Sequence, residues 1–209
     1  MRQRHIPPHP LVRIPSRRQA GGMTGAVPST DGRSETDSRT LRRMAAISGA
    51  GLVVGYLPMA RWERRMRATG GPGIVGLQLA RDATAAKEIL DLWGREGRRA
   101  ATEQTWADFV WMQTYGITGA VLVELARRRT TPTSGWTRTA RVVRWLPYAA
   151  VAFDAIEGFG QLRTLRSASV PDERTVAMTR TAATAKYALL GATALWAVAA
   201  ATVGARRAG

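Results

Sequence analysis

The sequence predicts an all-α membrane protein: a four-helix transmembrane bundle behind a disordered basic tail, with an amphipathic interfacial helix between spans one and two. Two observations predict it. Four apolar stretches, residues 44–60, 106–126, 145–162 and 181–205, carry very little charge. The 31 Lys and Arg crowd instead into the tails and connections, as cationic flanks of spanning helices do. The mean hydropathy of −0.17 averages these two populations and so conceals both.

Residues 1–43 combine nine arginines with Pro, Ser, Thr and Gly and show no apolar periodicity. That composition cannot bury a core and is expected to be disordered. It does not read as a secretory signal, because the first apolar stretch starts about forty residues in. Met23 and Met44 offer alternative starts.

Residues 44–60 form the first expected span, at the short end of the ~17–25 residues that cross a bilayer. Gly49, Gly51 and Gly55 thin one side for close helix contact, and Pro58 falls where the helix is expected to end. Residues 61–104 make the longest connection, broken at Gly70-Gly71-Pro72-Gly73. Asp82 is placed to cap a helix over about 82–94, where Ala83, Ala86, Leu90 and Trp93 share one face. That pattern fits a helix at the interface or over the bundle. Gly94 and Gly97 are expected to separate it from the second span, 106–126.

Arg127-Arg128-Arg129 ends that span, and residues 130–144 read as a basic loop. The third span is 145–162, the fourth 181–205, and 206–209 form a basic C-terminal end. Four spans put both termini on one side. The terminal side carries 17 arginines against 13 Lys and Arg opposite, which favours cytoplasmic termini in a bacterial inner membrane. Arginine supplies all but Lys87 and Lys186 of the cations. With abundant Ala and Gly, this points to a GC-rich bacterial source.

Composition also excludes chemistry. With no cysteine, thiolate metal sites, disulfides and cysteine nucleophiles are out. The two histidines, His5 and His9, lie in the tail, so histidine-ligated metal and a Ser-His-Asp triad within the spans are out as well. No cofactor or metal is expected. A net charge of +16 invites a nucleic-acid reading, but no recognition-helix, zinc-finger or RNP pattern accompanies it. Anionic lipid beside the helix ends accounts for the arginines more simply.

Asp154 and Glu157 stand within the third apolar stretch, where carboxylates are costly and need partners or a polar cavity. Connectivity brings the start of span two, the end of span three and the start of span four to one side. Glu157 and Lys186 then lie at matching depth, roughly 8 Å inside their helix ends at ~1.5 Å per residue. Asp154 is one turn deeper on the face of Glu157, and Asp108 lies just inside span two. Gln113, Tyr115 and Tyr187 are candidate hydrogen-bonding partners. The cluster reads either as a site for a headgroup, ion or proton, or as an internal ion-pair network that fixes helix packing. Lys186 can also reach towards the headgroups. Glu124 reads as a local pair with Arg127 and Arg128.

The run from Ile74 to Leu190 resembles a group of small uncharacterised bacterial four-helix integral membrane proteins. The matching residues are Ile74, Leu79-Ala80, Ile89-Leu90, Trp93-Gly94, Asp108-Phe109, Tyr115, Asp154, Glu157 and Lys186-Tyr187. Gln78 stands where that pattern has Glu, and Gly158 where it has Asn. The resemblance implies a four-helix membrane fold and brings no established activity.

Three classes of function follow. The first is a non-enzymatic protein that binds a lipid, a small ligand or a partner membrane protein through Asp108, Asp154, Glu157 and Lys186. The second is a proton- or ion-coupled carrier acting as a homodimer. The third, a lipid-modifying enzyme using the paired acids, ranks last for want of histidine or a metal motif.

Overall fold

The computed structural model describes residues 30–131 and 134–206. They form six helices: α1 (Thr30–Ala68), α2 (Ile74–Gln78), α3 (Ala83–Arg128), α4 (Gly135–Val143), α5 (Leu146–Leu165) and α6 (Glu173–Arg206). The described residues contain no strand. Of the tail expected to be disordered, residues 1–29 lie outside the description. Residues 30–43 are instead the first turns of α1, because the apolar helix behind them supplies a template on which each further residue adds one hydrogen bond.

Pro58 does not end α1, which runs on through it to Ala68. Pro58 sits on the exposed face, and spanning helices tolerate the lost N–H. The extension is held from the side. Trp62 Nε1 and Arg65 Nη1 both donate to Glu103 Oε2, at 3.0 and 2.9 Å. The chain then reverses at Gly70, whose φ of 87° suits glycine. Glu63 Oε2 accepts the Ile74 N–H at 3.0 Å and so anchors the start of α2.

Asp82 caps α3, its Oδ1 accepting from Ala85 N at 2.8 Å. The helix is 46 residues long and joins what the sequence divides into two. Only Gly94 departs from helical geometry, with φ 54° and ψ −152°. Gly97 remains helical and buried beneath the Trp93 side chain. Arg98 spans the kink, donating Nε to Leu90 O at 3.1 Å and Nη1 to Ser167 O at 2.8 Å.

Helix α4 replaces part of the expected basic loop. Ser134 Oγ accepts from Thr137 N at 3.3 Å, a cap that 130–144 already carried in its sequence. Asp172 caps the start of α6 in the same way. Its Oδ2 accepts from the Thr175 hydroxyl at 2.7 Å and the Thr175 N–H at 2.9 Å. Those two bonds hold its carboxyl below the usual 3.8.

Two zones result. An apolar core lies at one end, where Met66, Leu77, Ala86, Leu90 and Trp93 pack with Leu165 and Val176. The Ala83–Trp93 face therefore turns into the protein's own core. The remainder is a bundle of α1, α3, α5 and α6. Helix α3 packs against each of the other three, and α5 packs along α6. Its exterior is apolar: Val53, Leu57, Val110, Leu195 and Val198 are each at least 64 % exposed. Three helical stretches are long and apolar enough to cross a membrane, Arg39–Ala68, Ala83–Arg128 and Glu173–Arg206. Helix α5, with Asp154, Glu157 and Gln161, is not among them.

Candidate functional site

The site is assembled by helical periodicity. On α5, Asp154, Glu157 and Gln161 follow one another at three and four residues and share a face. On α3, Gln104, Asp108, Trp111 and Tyr115 recur at four, three and four. Lys186 and Tyr187 come from α6, and α2 contributes Gln78. The crossing is close because small residues line it. Gly160 faces Thr179 of α6, and Gly158 faces the Phe109 ring of α3. A larger residue at either position would separate the helices.

At the centre, Lys186 Nζ lies 2.7 Å from both Asp154 Oδ1 and Glu157 Oε2. These are buried groups: Glu157 is 0 %, Asp154 4 % and Lys186 5 % exposed. Each carboxylate has a second partner. Tyr115 donates its hydroxyl to Asp154 Oδ2 at 2.6 Å, and Gln161 Nε2 donates to Glu157 Oε1 at 2.6 Å. The Thr105 hydroxyl lies 3.3 Å from Gln161 Oε1. The lysine therefore does not extend to the headgroups. Its ammonium also lies 4.8 Å from the centroid of the Tyr187 ring, and Tyr187 donates to Gln78 Oε1 at 2.8 Å.

A cavity of about 470 Å³ adjoins this network. Its polar wall includes Gln78, Gln104, Asp108, Tyr115, Asp154 and Lys186. Its apolar lining includes Leu52, Met59, Ile74, Val75 and Leu190. Asp108 makes no hydrogen bond or ion pair with any described residue. Gln104 Oε1 is buried without a hydrogen-bonding partner. Helix α1 lies along α3 and packs little on α6, so the cavity lies between α1 and α6, with α2 and α3 completing its lining and Asp154 and Lys186 of the charged network bordering it.

Of the residues expected in the cluster, Asp154, Glu157 and Lys186 are in direct ionic contact. Asp108, Tyr115 and Tyr187 border the same cavity. Gln113 is exposed and takes no part, because two residues from Tyr115 is about 200° around a helix. Gln78, Gln104, Thr105 and Gln161 were not singled out as site residues. Gln104 and Gln161 were discoverable, since each continues a three-and-four spacing from a named acid. Glu124 pairs with Arg127 at 2.6 Å and Arg128 at 3.0 Å, away from this cluster.

Among the described residues, no three His, Cys, Asp or Glu side chains are grouped to hold a metal ion. Comparison with protein-family models, curated proteins and solved structures finds no significant match to this chain.

Proposed function

We propose that this is a four-span membrane protein that binds a lipid or small amphiphile in the cleft between α1 and α6. The cavity carries the reading. It pairs an apolar wall with a polar one and leaves the Asp108 carboxylate without a partner. A charge network that served packing alone would have no use for an adjoining cavity or a free acid. The size falls within the ~300–1,000 Å³ common for ligand pockets.

The fourth span in this reading is α5. Its 20 residues extend roughly 30 Å, the thickness of the hydrocarbon core. Its acids are answered by Lys186, Tyr115 and Gln161, which lowers the cost of placing them at depth. Carbonate washing of membranes is expected to leave the protein in the pellet; release to the supernatant would refute integral insertion. With four spans and the arginine asymmetry, both termini face the cytoplasm of a bacterial inner membrane. A C-terminal phosphatase fusion, active only after export, is then silent, and an active fusion inverts the orientation.

Binding is tested by purifying the protein with its native lipids and identifying what co-purifies by mass spectrometry. Met59→Trp, which fills the apolar wall, is expected to lose a molecule that the unaltered protein retains. Identical co-purifying molecules from both proteins would remove the cavity from consideration. The unpaired Asp108 also favours a second reading, a proton- or ion-coupled carrier working as a homodimer. That reading requires a dimer in detergent and counter-ion flux in vesicles.

A further inference from the structure

Resting on the proposed cleft, we infer that its ligand is a protonated primary amine carrying an apolar chain, with the ammonium seated against Asp108. The argument begins with which polar groups are already committed. Lys186 is engaged by Asp154 and Glu157, both at 2.7 Å. The Tyr115 hydroxyl is donated to Asp154, and the Tyr187 hydroxyl to Gln78. The two tyrosine hydroxyls cannot also serve an incoming headgroup without giving up these acceptors, and Lys186 keeps at most one N–H, set beside two carboxylates that disfavour an anion. Two acceptors on the wall remain free, the Asp108 carboxylate and Gln104 Oε1. They lie four residues apart on α3, one above the other on a single face.

Charge points the same way. The network together with Asp108 contains three carboxylates and one ammonium. An anionic head would be repelled by the unpaired Asp108. A neutral head offers Asp108 an ordinary hydrogen bond but no opposite charge. An ammonium supplies both the opposite charge and N–H donors, and charge-assisted hydrogen bonds of this kind are the stronger ones. Tyr56 and Trp111 border the same cavity, and aromatic faces favour a cation further.

Size and shape supply the rest of the ligand. A cavity of about 470 Å³ is far larger than an ammonium group needs. Leu52, Met59, Val75 and Leu190 leave an apolar wall for an alkyl chain. Because α1 and α6 pack little on each other, such a chain can enter sideways between them. A divalent cation fits less well, since it wants six or more converging oxygens or retained waters.

The test uses the full chain purified in a maltoside detergent at neutral pH. Its melting temperature and native mass spectrum are followed with dodecylamine, dodecanol, dodecanoate and ethylamine. The unaltered protein is expected to bind dodecylamine with a raised melting temperature, and to bind the other three at least tenfold more weakly. Asp108→Asn, nearly isosteric, is expected to weaken dodecylamine at least tenfold, and Gln104→Leu to weaken it less. Val75→Trp is expected to abolish binding by filling the apolar wall. If dodecanol or dodecanoate binds as well as the amine, and Val75→Trp abolishes that binding, the cleft stands and the cationic ligand is wrong. Equal binding of ethylamine removes the apolar chain. Dodecylamine binding that survives Asp108→Asn also overturns the inference. If no probe binds the unaltered protein, the cleft reading falls with it. The headgroup series on the unaltered protein decides the matter even if a variant fails to fold.

Discussion

The two zones of this molecule are built by opposite rules. At the end formed by α2, the first half of α3 and the junction of α5 with α6, large apolar side chains are inside. Trp93, Leu90 and Met66 are 0–1 % exposed, while Glu88, Asp91, Arg95 and Glu96 face outward. In the bundle polar groups share the interior with apolar ones such as Val123 and Met112, and many large apolar side chains face out. Leu195 and Val110 are each 75 % exposed, whereas Asp154, Glu157, Gln161, Lys186, Thr118 and Thr193 are inside. Water drives the first zone together by expelling apolar surface. Hydrocarbon exerts no such force between helices, so the bundle depends on close packing and polar contacts. On the proposed membrane reading one chain folds for two solvents, and α3 passes through both, its kink at Gly94 lying within the apolar core segment that runs from Ala83 to Ala101.

The largest expected effect breaks the bundle's polar interior. Lys186→Met strands two buried carboxylates beside each other and is expected to cost ~3–5 kcal/mol, the scale for breaking a buried pair. Thermal unfolding in detergent measures it. Adding Asp154→Asn and Glu157→Gln is expected to recover much of the loss, because the three groups act as a unit. Strict additivity would show that the contacts contribute nothing jointly.

Next comes one substitution made in both zones. Leu90→Ala, in the water-built core, is expected to cost ~2–5 kcal/mol through the cavity it leaves. Leu57→Ala, on the exposed face of α1, is expected to change stability far less, since lipid or detergent contacts it either way. Comparable losses at the two sites would erase the distinction between the zones.

The smallest effect concerns the junction. Asp172 is held below its usual 3.8 by Thr175. A carboxyl lowered on folding adds stability that is complete above 3.8 and fades as pH falls through the lowered value. Asp172→Ala is therefore expected to melt slightly earlier at neutral pH. That gap is expected to close on acidification, and a gap unchanged at low pH would show that the carboxylate's charge is irrelevant to the cap.

Much of this was legible because helices convert residue number into depth and angle. Matching Glu157 to Lys186 needed only the rise per residue and the order of the spans. The same geometry, applied strictly, would have excluded Gln113 and included Gln104 and Gln161. The continuity of α3 was not legible. Two glycines three residues apart look alike in sequence, yet only Gly94 breaks the helix, while Gly97 is buried against Trp93. Nor was the course of α1 past Pro58, which depends on Glu103 reaching Trp62 and Arg65 from 41 and 38 residues away. The burial of the Ala83–Trp93 face likewise depends on Leu165 and Val176, which local periodicity cannot reveal.

The partnership of α5 with α6 also bears on how the chain is made. On the proposed four-span reading, α5 leaves the ribosome before α6 and carries two carboxylates into the translocation machinery. On the scale that governs insertion of single helices, each acid near the middle of a span weighs against entry by about 2.5–3.5 kcal/mol. Its counter-charge, Lys186, is synthesised 32 residues after Asp154. A nascent α5 therefore has reason to wait at the edge of the lipid until α6 follows, and the two are best delivered as a hairpin. Stalling synthesis between Leu165 and Lys186 would leave a chain whose third segment has no stable home in the bilayer.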